Sequence, residues 1–396
     1  MLKINSIHCV DALNGLKQLP SESIDMIITS PPYWNMRDYG CTTEIVWDAT
    51  PGCKHNFSKE IVKRHTGGGG NCLVASHRKG VYRFTTSSRF CVKCGAWKGQ
   101  LGHEPDFYLY LKHLLDIFNE LRRVLKEGGT CWVNISDRYG GNPTGMSWKR
   151  HDIVTSQLDP NRSYERMSSW HKCMLAIPER FAIGMIDRGW ILRNKIVWHK
   201  TNPIPCPVPD RFSNTWEYLF FFSKSGKYYF DLDAVRVPHK QSQAQAERDF
   251  IRAIQDKHGA GGPEGKVVSP YVLNHHKGKN PGDLWTVSLR AFKDAHCAVF
   301  PEQLIEGPIR AGCPERVCKH GSATTDQPES CHKDSCQHQC KCGRGIVLDP
   351  FMGSGTTAVV AQKLGRDYMG FEPNPDYVRI ARKRLRGNRR ITKNTA

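Results

Sequence analysis

Acidic residues are scarce in this chain. Asp and Glu number 38 against 57 Lys and Arg, a formal net charge of +19 over 396 residues. So large a basic excess suits a polyanionic partner, although charge alone does not separate DNA, RNA and anionic lipid. Long apolar runs are also missing. None is long enough to span a bilayer, so no membrane partner is expected. The start, MLKINSIHCVDAL, lacks a basic segment followed by an apolar stretch, so no export signal is expected and a cytosolic location is. There is no internal repeat. At 39% hydrophobic and 24% charged the chain is nonetheless globular rather than disordered. Its length allows one large domain or two ordinary ones.

Cysteine, by contrast, is plentiful and clustered. Of 16 cysteines, five fall between Cys41 and Cys94 and six between Cys313 and Cys342. In a reducing compartment such numbers point to metal sites or buried thiols rather than disulfides.

The patterning is α/β. KINSIHCVDAL reads as a strand and a loop, and SIDMIITS as a continuous apolar strand of the kind buried in a parallel sheet. Residues 41–100 break the pattern with GGGG at 67–70 and clustered Cys. Near-helical apolar spacing over 107–125 predicts a helix, which EGG at 127–129 is expected to stop before the strand GTCWVNISD. IPERFAIGMIDRG predicts another helix; WILRNKIVWHK and WEYLFFFSK predict strands on either side of a proline-rich turn. Polar, Gly-rich stretches at 140–170 and 238–283 read as loops. YYF at 228–230 reads as core. Helix alternating with strand is the mark of a doubly wound sheet.

Near the end, GIVLDPFMGSGTT has the form strand, acidic residue, Gly-rich turn, helix start. Gly353 and Gly355 allow a tight turn and close backbone approach to a ligand. Glu372 follows 19 residues after Gly353, the spacing of an acid that grips ribose hydroxyls. Two glycines rather than three, and Asp349 at the strand tip, argue against a pyrophosphate. A cofactor bearing an ammonium fits better, which points to S-adenosylmethionine rather than NAD.

The strand SIDMIITS runs into TSPPYW at 29–34, a rigid corner ahead of two aromatics. TSPPYW and DPFMGSGTT together resemble the amino-group DNA methyltransferases, which methylate adenine N6 or cytosine N4. The order, TSPPYW first and the cofactor motif last, resembles the permuted β class. HCVDAL looks like the family's loop near the cofactor adenine, and VWHKTNP like its strand and turn near the target base. AVFPEQLIEGPI looks like the helix before the cofactor loop, and FEPNPDYV like the segment carrying the ribose-binding acid.

The resemblance implies a seven-stranded, mostly parallel doubly wound sheet with Cys-rich insertions and a DNA-recognition region. It implies S-adenosylmethionine held by Asp11, Asp349, Pro350, Phe351, Gly353, Ser354, Gly355, Thr356, Glu372 and Asn374. It implies catalysis by Ser30, Pro31, Pro32 and Tyr33 on a base flipped out of double-stranded DNA. Ser30 Oγ and the Pro31 carbonyl are expected to accept hydrogen bonds from the exocyclic amine, with Tyr33 as a stacking face. Ser at the first motif position leans towards cytosine N4, with adenine N6 as the alternative. Cytosine-C5 chemistry needs a thiolate, and Pro205-Cys206 sits in the proline-rich turn, not in a cofactor-proximal loop. RNA or protein-glutamine methylation is disfavoured by Ser30 and by the motif order. A zinc-containing DNA-binding protein on an inactive scaffold is the remaining alternative of a different class.

Cys53-Lys-His55 with Cys91-Val-Lys-Cys94 before Gly95 forms a zinc-knuckle pattern, Cys41 and Cys72 being spare candidates. Cys318, His320, Cys340 and Cys342 echo it in the second cluster, where Cys331, Cys336 and His338 compete. Both zincs would be structural. The expected division is 1–40 (start of the catalytic half), 41–100 (zinc insertion), 101–200 (rest of the catalytic half), 201–297 (target recognition) and 298–396 (cofactor half, with a Cys-rich insert at 313–343). Arg211, Lys224, Lys227, Lys240 and Lys266 are candidate DNA contacts. A cognate restriction endonuclease is a candidate partner.

Overall fold

The computed structural model describes residues 2–35, 44–64, 81–87, 89–140, 170–203, 205–239, 248, 275–289, 300–317 and 343–394. Cys41, Cys72, Lys240, Lys266, Cys318, His320, Cys331, Cys336, His338, Cys340 and Cys342 lie outside the described residues, as do nearly all of 140–170 and most of 238–283. The chain divides into two compact units. The first comprises Met1–Pro31, Phe118–Ile135 and Gly184–Ala396; the second comprises Pro32–Ile117 and Ser136–Ile183.

In chain order the elements are β1 (Ser6–His8), α1 (Ala12–Lys17), β2 (Ile24–Thr29), β3 (Ile45–Trp47), β4 (Ser58–Arg64), β5 (Val81–Ser87), β6 (Trp97–Gly99), α2 (Phe107–Val124) and β7 (Leu125–Ile135). Then come α3 (Ile177–Asp187), β8 (Ile191–His199), β9 (Trp216–Ser223), β10 (Leu284–Thr286), α4 (Glu302–Gly312), β11 (Ile346–Asp349), α5 (Thr356–Lys363), β12 (Asp367–Phe371) and α6 (Pro375–Asn394).

The first unit is built on an eight-stranded sheet in the order β1-β12-β11-β2-β7-β9-β8-β10. Five neighbouring pairs run parallel; β7–β9 and β9–β8 run antiparallel. The strand beyond the expected seven is β10, three residues at one edge. All six residues of β2 are buried, as the run IDMIIT requires of a central parallel strand. Val347 pairs with Met26 and Leu348 with Ile27 in parallel. The carboxyl ends of β2 and β11 therefore leave the sheet side by side, on the edge where doubly wound sheets bind ligands.

The helix over 107–124 ends earlier than its glycines suggest. β7 begins at once with Leu125, so EGG lies inside the strand. A register shift between Ile24 and Met26 absorbs the irregularity. A Cβ at Gly129 would stand 2.9 Å from the Asp25 carbonyl oxygen, so the close approach of β2, not helix termination, calls for glycine. Of YYF, Tyr228 packs on the core, whereas Phe230 is exposed and stacks one ring on Phe221 at 5.6 Å.

In the second unit β3 pairs antiparallel with β6, and β4 with β5. Trp34, Trp47, Trp97, Phe107 and Tyr110 are buried.

Candidate active site

The glycine-rich loop expected to hold the cofactor starts where β11 ends. Asp349 is buried, and its oxygens accept three hydrogen bonds: from Thr29 Oγ1 at 2.6 Å, Thr357 Oγ1 at 2.6 Å and Phe351 N at 3.0 Å. Burial pushes the carboxyl up to about 6, against the lowering by those donors. A carboxylate offers roughly four lone-pair directions, so one is left for a ligand. Asp349 is thus first a knot tying β2 to the start of α5.

The turn that follows places Gly353 at φ 51° and Gly355 at φ 86°, both left-handed. Gly355 is the N-cap of α5, and a Cβ there would fall 2.6 Å from Ala381 Cβ. Around Gly353 a Cβ would meet nothing nearer than 4.0 Å, which leaves a backbone cradle open to a ligand. Pro350, Ser354 and Thr356 are buried, and Phe351 is half-buried.

Glu372 closes the cradle. It accepts from Gly353 N at 2.9 Å and Asn374 N at 2.8 Å, one on each oxygen. Burial first, and then the charge of Asp349, push it up to about 7. Asn374 in turn accepts from Asp376 N at 2.9 Å. Glu372 N donates to His8 O at 3.1 Å, bringing the loop after β1 alongside. There Asp11 caps α1 by accepting from Asn14 N at 2.9 Å.

Three residues beyond the expected site set hold this arrangement. Thr29 and Thr357 are the hydroxyls on Asp349. Arg384 of α6 reaches Ser354 O at 2.9 Å, Thr356 Oγ1 at 3.0 Å and Ser354 Oγ at 3.2 Å. Nothing in the run RIARKRLRGNRR singles out Arg384.

TSPPYW runs through the boundary of the two units. Thr29 to Pro31 belong to the first, with Ser30 half-buried and Pro31 buried. Pro32 to Trp34 belong to the second, where Tyr110 Oη donates to Pro32 O at 2.9 Å and Trp34 Nε1 donates to Glu104 O at 3.0 Å. Tyr33 is half-buried.

The chemistry of this site is decided by its family. The sequence model of the N6/N4 methyltransferases, described as DNA methylase, matches residues 24–383. The chain belongs to the amino-group DNA methylase family. It is 31% identical over 379 residues to the type II methyltransferase M.Cfr9I of Citrobacter freundii, covering 95% of this chain and 86% of that one. It is 27% identical over 384 residues to the type II methyltransferase M.SmaI of Serratia marcescens, covering 95% and 88%. Among solved structures, PvuII DNA methyltransferase (cytosine-N4-specific) has the same fold, with TM-score 0.50 and 17% identity over 96% of this chain and 86% of that one.

This DNA methylase therefore uses S-adenosylmethionine to methylate an exocyclic amine of DNA. The cradle fits that cofactor: an open left-handed turn at Gly353, and a Glu372 carboxylate with lone pairs to spare. Among the described residues no helix is long and apolar enough to cross a membrane.

In the second unit, Cys53, His55, Cys91 and Cys94 come together, with their ligand atoms all within 4.8 Å of one another. Cys91 Sγ accepts from Asn56 N at 3.4 Å, and His55 Nδ1 lies 3.4 Å from Cys94 Sγ. Burial pushes the Cys91 thiol up, but the amides of Asn56, Cys94 and Lys93 with His55 outweigh it and bring it to about 5.

Of the candidate DNA contacts, Lys224 is engaged internally, with Glu22, Glu127 and the Leu125 carbonyl. Arg211 Nη2 lies 3.5 Å from Cys206 Sγ. In VWHKTNP, Asn202 exchanges two hydrogen bonds with the Leu289 backbone, at 2.7 and 3.0 Å.

Proposed function

We propose that this enzyme methylates N4 of a cytosine flipped out of a specific DNA sequence. The observation that carries the reading is the bond between Thr29 and Asp349. It ties the residue before Ser30 to the first residue of the cofactor loop. The acceptors for an amine and the seat of the methyl donor thus leave adjacent parallel strands.

An aromatic amine is a poor nucleophile because its lone pair is delocalised into the ring. Ser30 Oγ and the Pro31 carbonyl accept its two hydrogens and draw the nitrogen towards tetrahedral geometry. Pro31 and Pro32 restrict the backbone, so these acceptors are set before substrate arrives. Tyr33 provides the face on which the extruded base stacks. When bound, S-adenosylmethionine supplies a methyl group on a positively charged sulfur. Ser30 and Pro31 would thereby hold the amine with its lone pair turned towards the cofactor seat. Glu372 and Asn374 would hold the ribose, Asp11 and the loop after β1 would serve the adenine, and the Asp349 loop with Pro350, Phe351, Gly353, Ser354, Gly355 and Thr356 would hold the methionine end.

Cytosine is favoured over adenine by Ser30 at the first motif position. The test is transfer of labelled methyl to unmodified DNA, followed by nucleoside mass spectrometry. N4-methylcytosine is expected; N6-methyladenine as the only product overturns the base assignment. DNA binding with no methyl transferred overturns the catalytic roles.

Cys53, His55, Cys91 and Cys94 hold one structural zinc. Zinc–sulfur bonds of about 2.3 Å in tetrahedral array space the ligand atoms by roughly 3.5–4 Å. The cluster approaches that spacing, and the Asn56 amide already supplies an outer-shell bond to sulfur. Cys318, His320, Cys340 and Cys342 are proposed as a second set. A restriction endonuclease of the same sequence specificity is the proposed biological partner.

A further inference from the structure

The second unit buries a carboxylate and an imidazole that methyl transfer does not use. The side chains of Glu104 and His113 are both 0% exposed, and His113 Nδ1 lies 2.9 Å from Glu104 Oε1. The other ring nitrogen lies 3.3 Å from Asp48 Oδ2. The imidazole sits against Trp47 at 4.5 Å and 17°, and against Trp97 at 5.6 Å and 24°. An apolar side chain would be the cheaper way to fill such a place. The polar pair therefore calls for a reason of orientation.

That reason lies in what Glu104 holds. Its Oε2 accepts from Gly102 N at 2.7 Å, and its backbone carbonyl accepts from Trp34 Nε1 at 3.0 Å. The Gly102 carbonyl accepts from Asn35 N at 2.7 Å. Gly102 adopts φ +92°, and a Cβ there would stand 3.2 Å from the Tyr33 carbonyl oxygen. About one turn before His113 on α2, Tyr110 Oη donates to Pro32 O at 2.9 Å. Residues 32–35 are thus gripped at the Pro32 carbonyl, the Trp34 indole and the Asn35 amide. Two of those three grips come from the peptide segment that the Glu104 side chain folds, and His113 fixes that side chain.

We infer that Glu104 and His113 are positioning residues that set the backbone of Pro32–Asn35 and so the pose of the Tyr33 ring. The inference rests on the reading of Tyr33 as the stacking face for the target base. Neither residue touches substrate. Either Glu104 donates to Nδ1 or Nδ1 donates to Glu104, and the contact is kept in both cases. A misplacement of about 1 Å at a reacting site costs on the order of 100-fold in rate, so loss of the grip appears in kcat rather than in binding.

The experiment compares the full-length wild type with Glu104→Ala, Glu104→Gln and Tyr33→Ala. It measures kcat, KM for S-adenosylmethionine and for DNA, and thermal unfolding. Glu104→Ala is expected to lose about 10- to 100-fold in kcat, with both KM values within about twofold of wild type. Glu104→Gln still accepts from Gly102 N and donates to His113, and is expected to restore most of the rate. Wild-type kcat in Glu104→Ala, or equal losses in Glu104→Ala and Glu104→Gln, overturns the positioning role. If Tyr33→Ala keeps its rate, the stacking reading itself falls. If Tyr33→Ala is slow and Glu104→Ala is not, only the present inference falls. Should Glu104→Ala not fold, Trp34→Phe removes the indole bond to the Glu104 carbonyl while keeping a buried ring. The same kcat loss supports the inference, and wild-type kcat overturns it.

Discussion

Thr29 Oγ1 donates to Asp349 Oδ1 at 2.6 Å, joining residues 320 positions apart in the chain. The contact binds the last residue of β2 to the last residue of β11, so the proposed amine-binding corner and the proposed cofactor loop share one buried hydrogen bond. Thr29→Val keeps the shape and removes the donor. A buried carboxylate losing one of three partners costs about 1–3 kcal/mol. The expected outcome is a lower melting temperature and weaker S-adenosylmethionine binding, read by thermal melts and calorimetric titration. Thr29→Ser is expected to retain both. A Thr29→Val protein with wild-type melting and affinity would remove this bond from the account of the site.

Glu372 gives the site a pH dependence of defined sign. In the folded chain its carboxyl is pushed up to about 7, from an ordinary value of 4.5. The folded state therefore keeps this proton after the unfolded chain has lost it. Its contribution to stability is full below 4.5, declines as the unfolded chain ionises, and is gone above about 7. The loss is on the order of 3 kcal/mol at most. Melting of the cofactor-free enzyme should fall over this range more steeply than that of Glu372→Gln. In the proposed ribose role, hydroxyls would donate to the ionised carboxylate, so cofactor affinity should rise from about pH 6 to 8 in the wild type and stay flatter in Glu372→Gln.

Much of this site was legible because its signals are local. TSPPYW and DPFMGSGTT each compress a strand end, a turn and its ligand groups into a short string. Parallel pairing of β2 with β11 then follows from two continuous apolar runs. What the string does not show is the partner of a buried polar group when that partner is distant. Thr29 and Thr357 stand inside the motifs, yet their service to Asp349 depends on β2 lying against β11. Arg384 is one cation in a run of many, and only the fold aims it at Ser354. Glu104 and His113 belong to no motif at all. The glycines of EGG misled for the same reason: the approach of the Asp25 backbone that demands Gly129 is a contact between strands, invisible along one of them.

Ser30 carries the proposed chemistry. Ser30→Ala removes one of the two proposed acceptors for the amine and leaves the backbone corner intact. Loss of one preorganised hydrogen bond in a transition state costs about 100-fold in kcat. Single-turnover methylation should slow by that order, while S-adenosylmethionine and DNA dissociation constants stay within about twofold. A slower rate with equally weakened DNA binding would place Ser30 in ground-state binding instead.

The metal proposal is tested by removal. Cys53, His55, Cys91 and Cys94 lie in the chain between β3 and β6, whose Trp47 and Trp97 stack on His113. Metal binding to such a set contributes directly to folding free energy. Chelation should lower the melting temperature by several degrees, and zinc should restore it. Cys91→Ser with Cys94→Ser should carry one zinc equivalent fewer than the wild type by elemental analysis. An unchanged zinc content in that variant rules out the four-ligand site.

Arg384 is the position where structure adds most to the cofactor loop. Its guanidinium serves Ser354 and Thr356 through one nitrogen and reaches Glu302 at 3.3 Å through another. A planar fork holds two directions at once, which a lysine ammonium on a flexible stem does not. Arg384→Met and Arg384→Lys should therefore both loosen the turn between Gly353 and α5. The expected result is about a 10-fold loss of S-adenosylmethionine affinity, of the order of one charge-assisted hydrogen bond. DNA affinity should be unaffected at fixed salt. If Arg384→Lys binds cofactor as the wild type does, charge opposite Glu302 rather than the fork geometry is what α6 supplies.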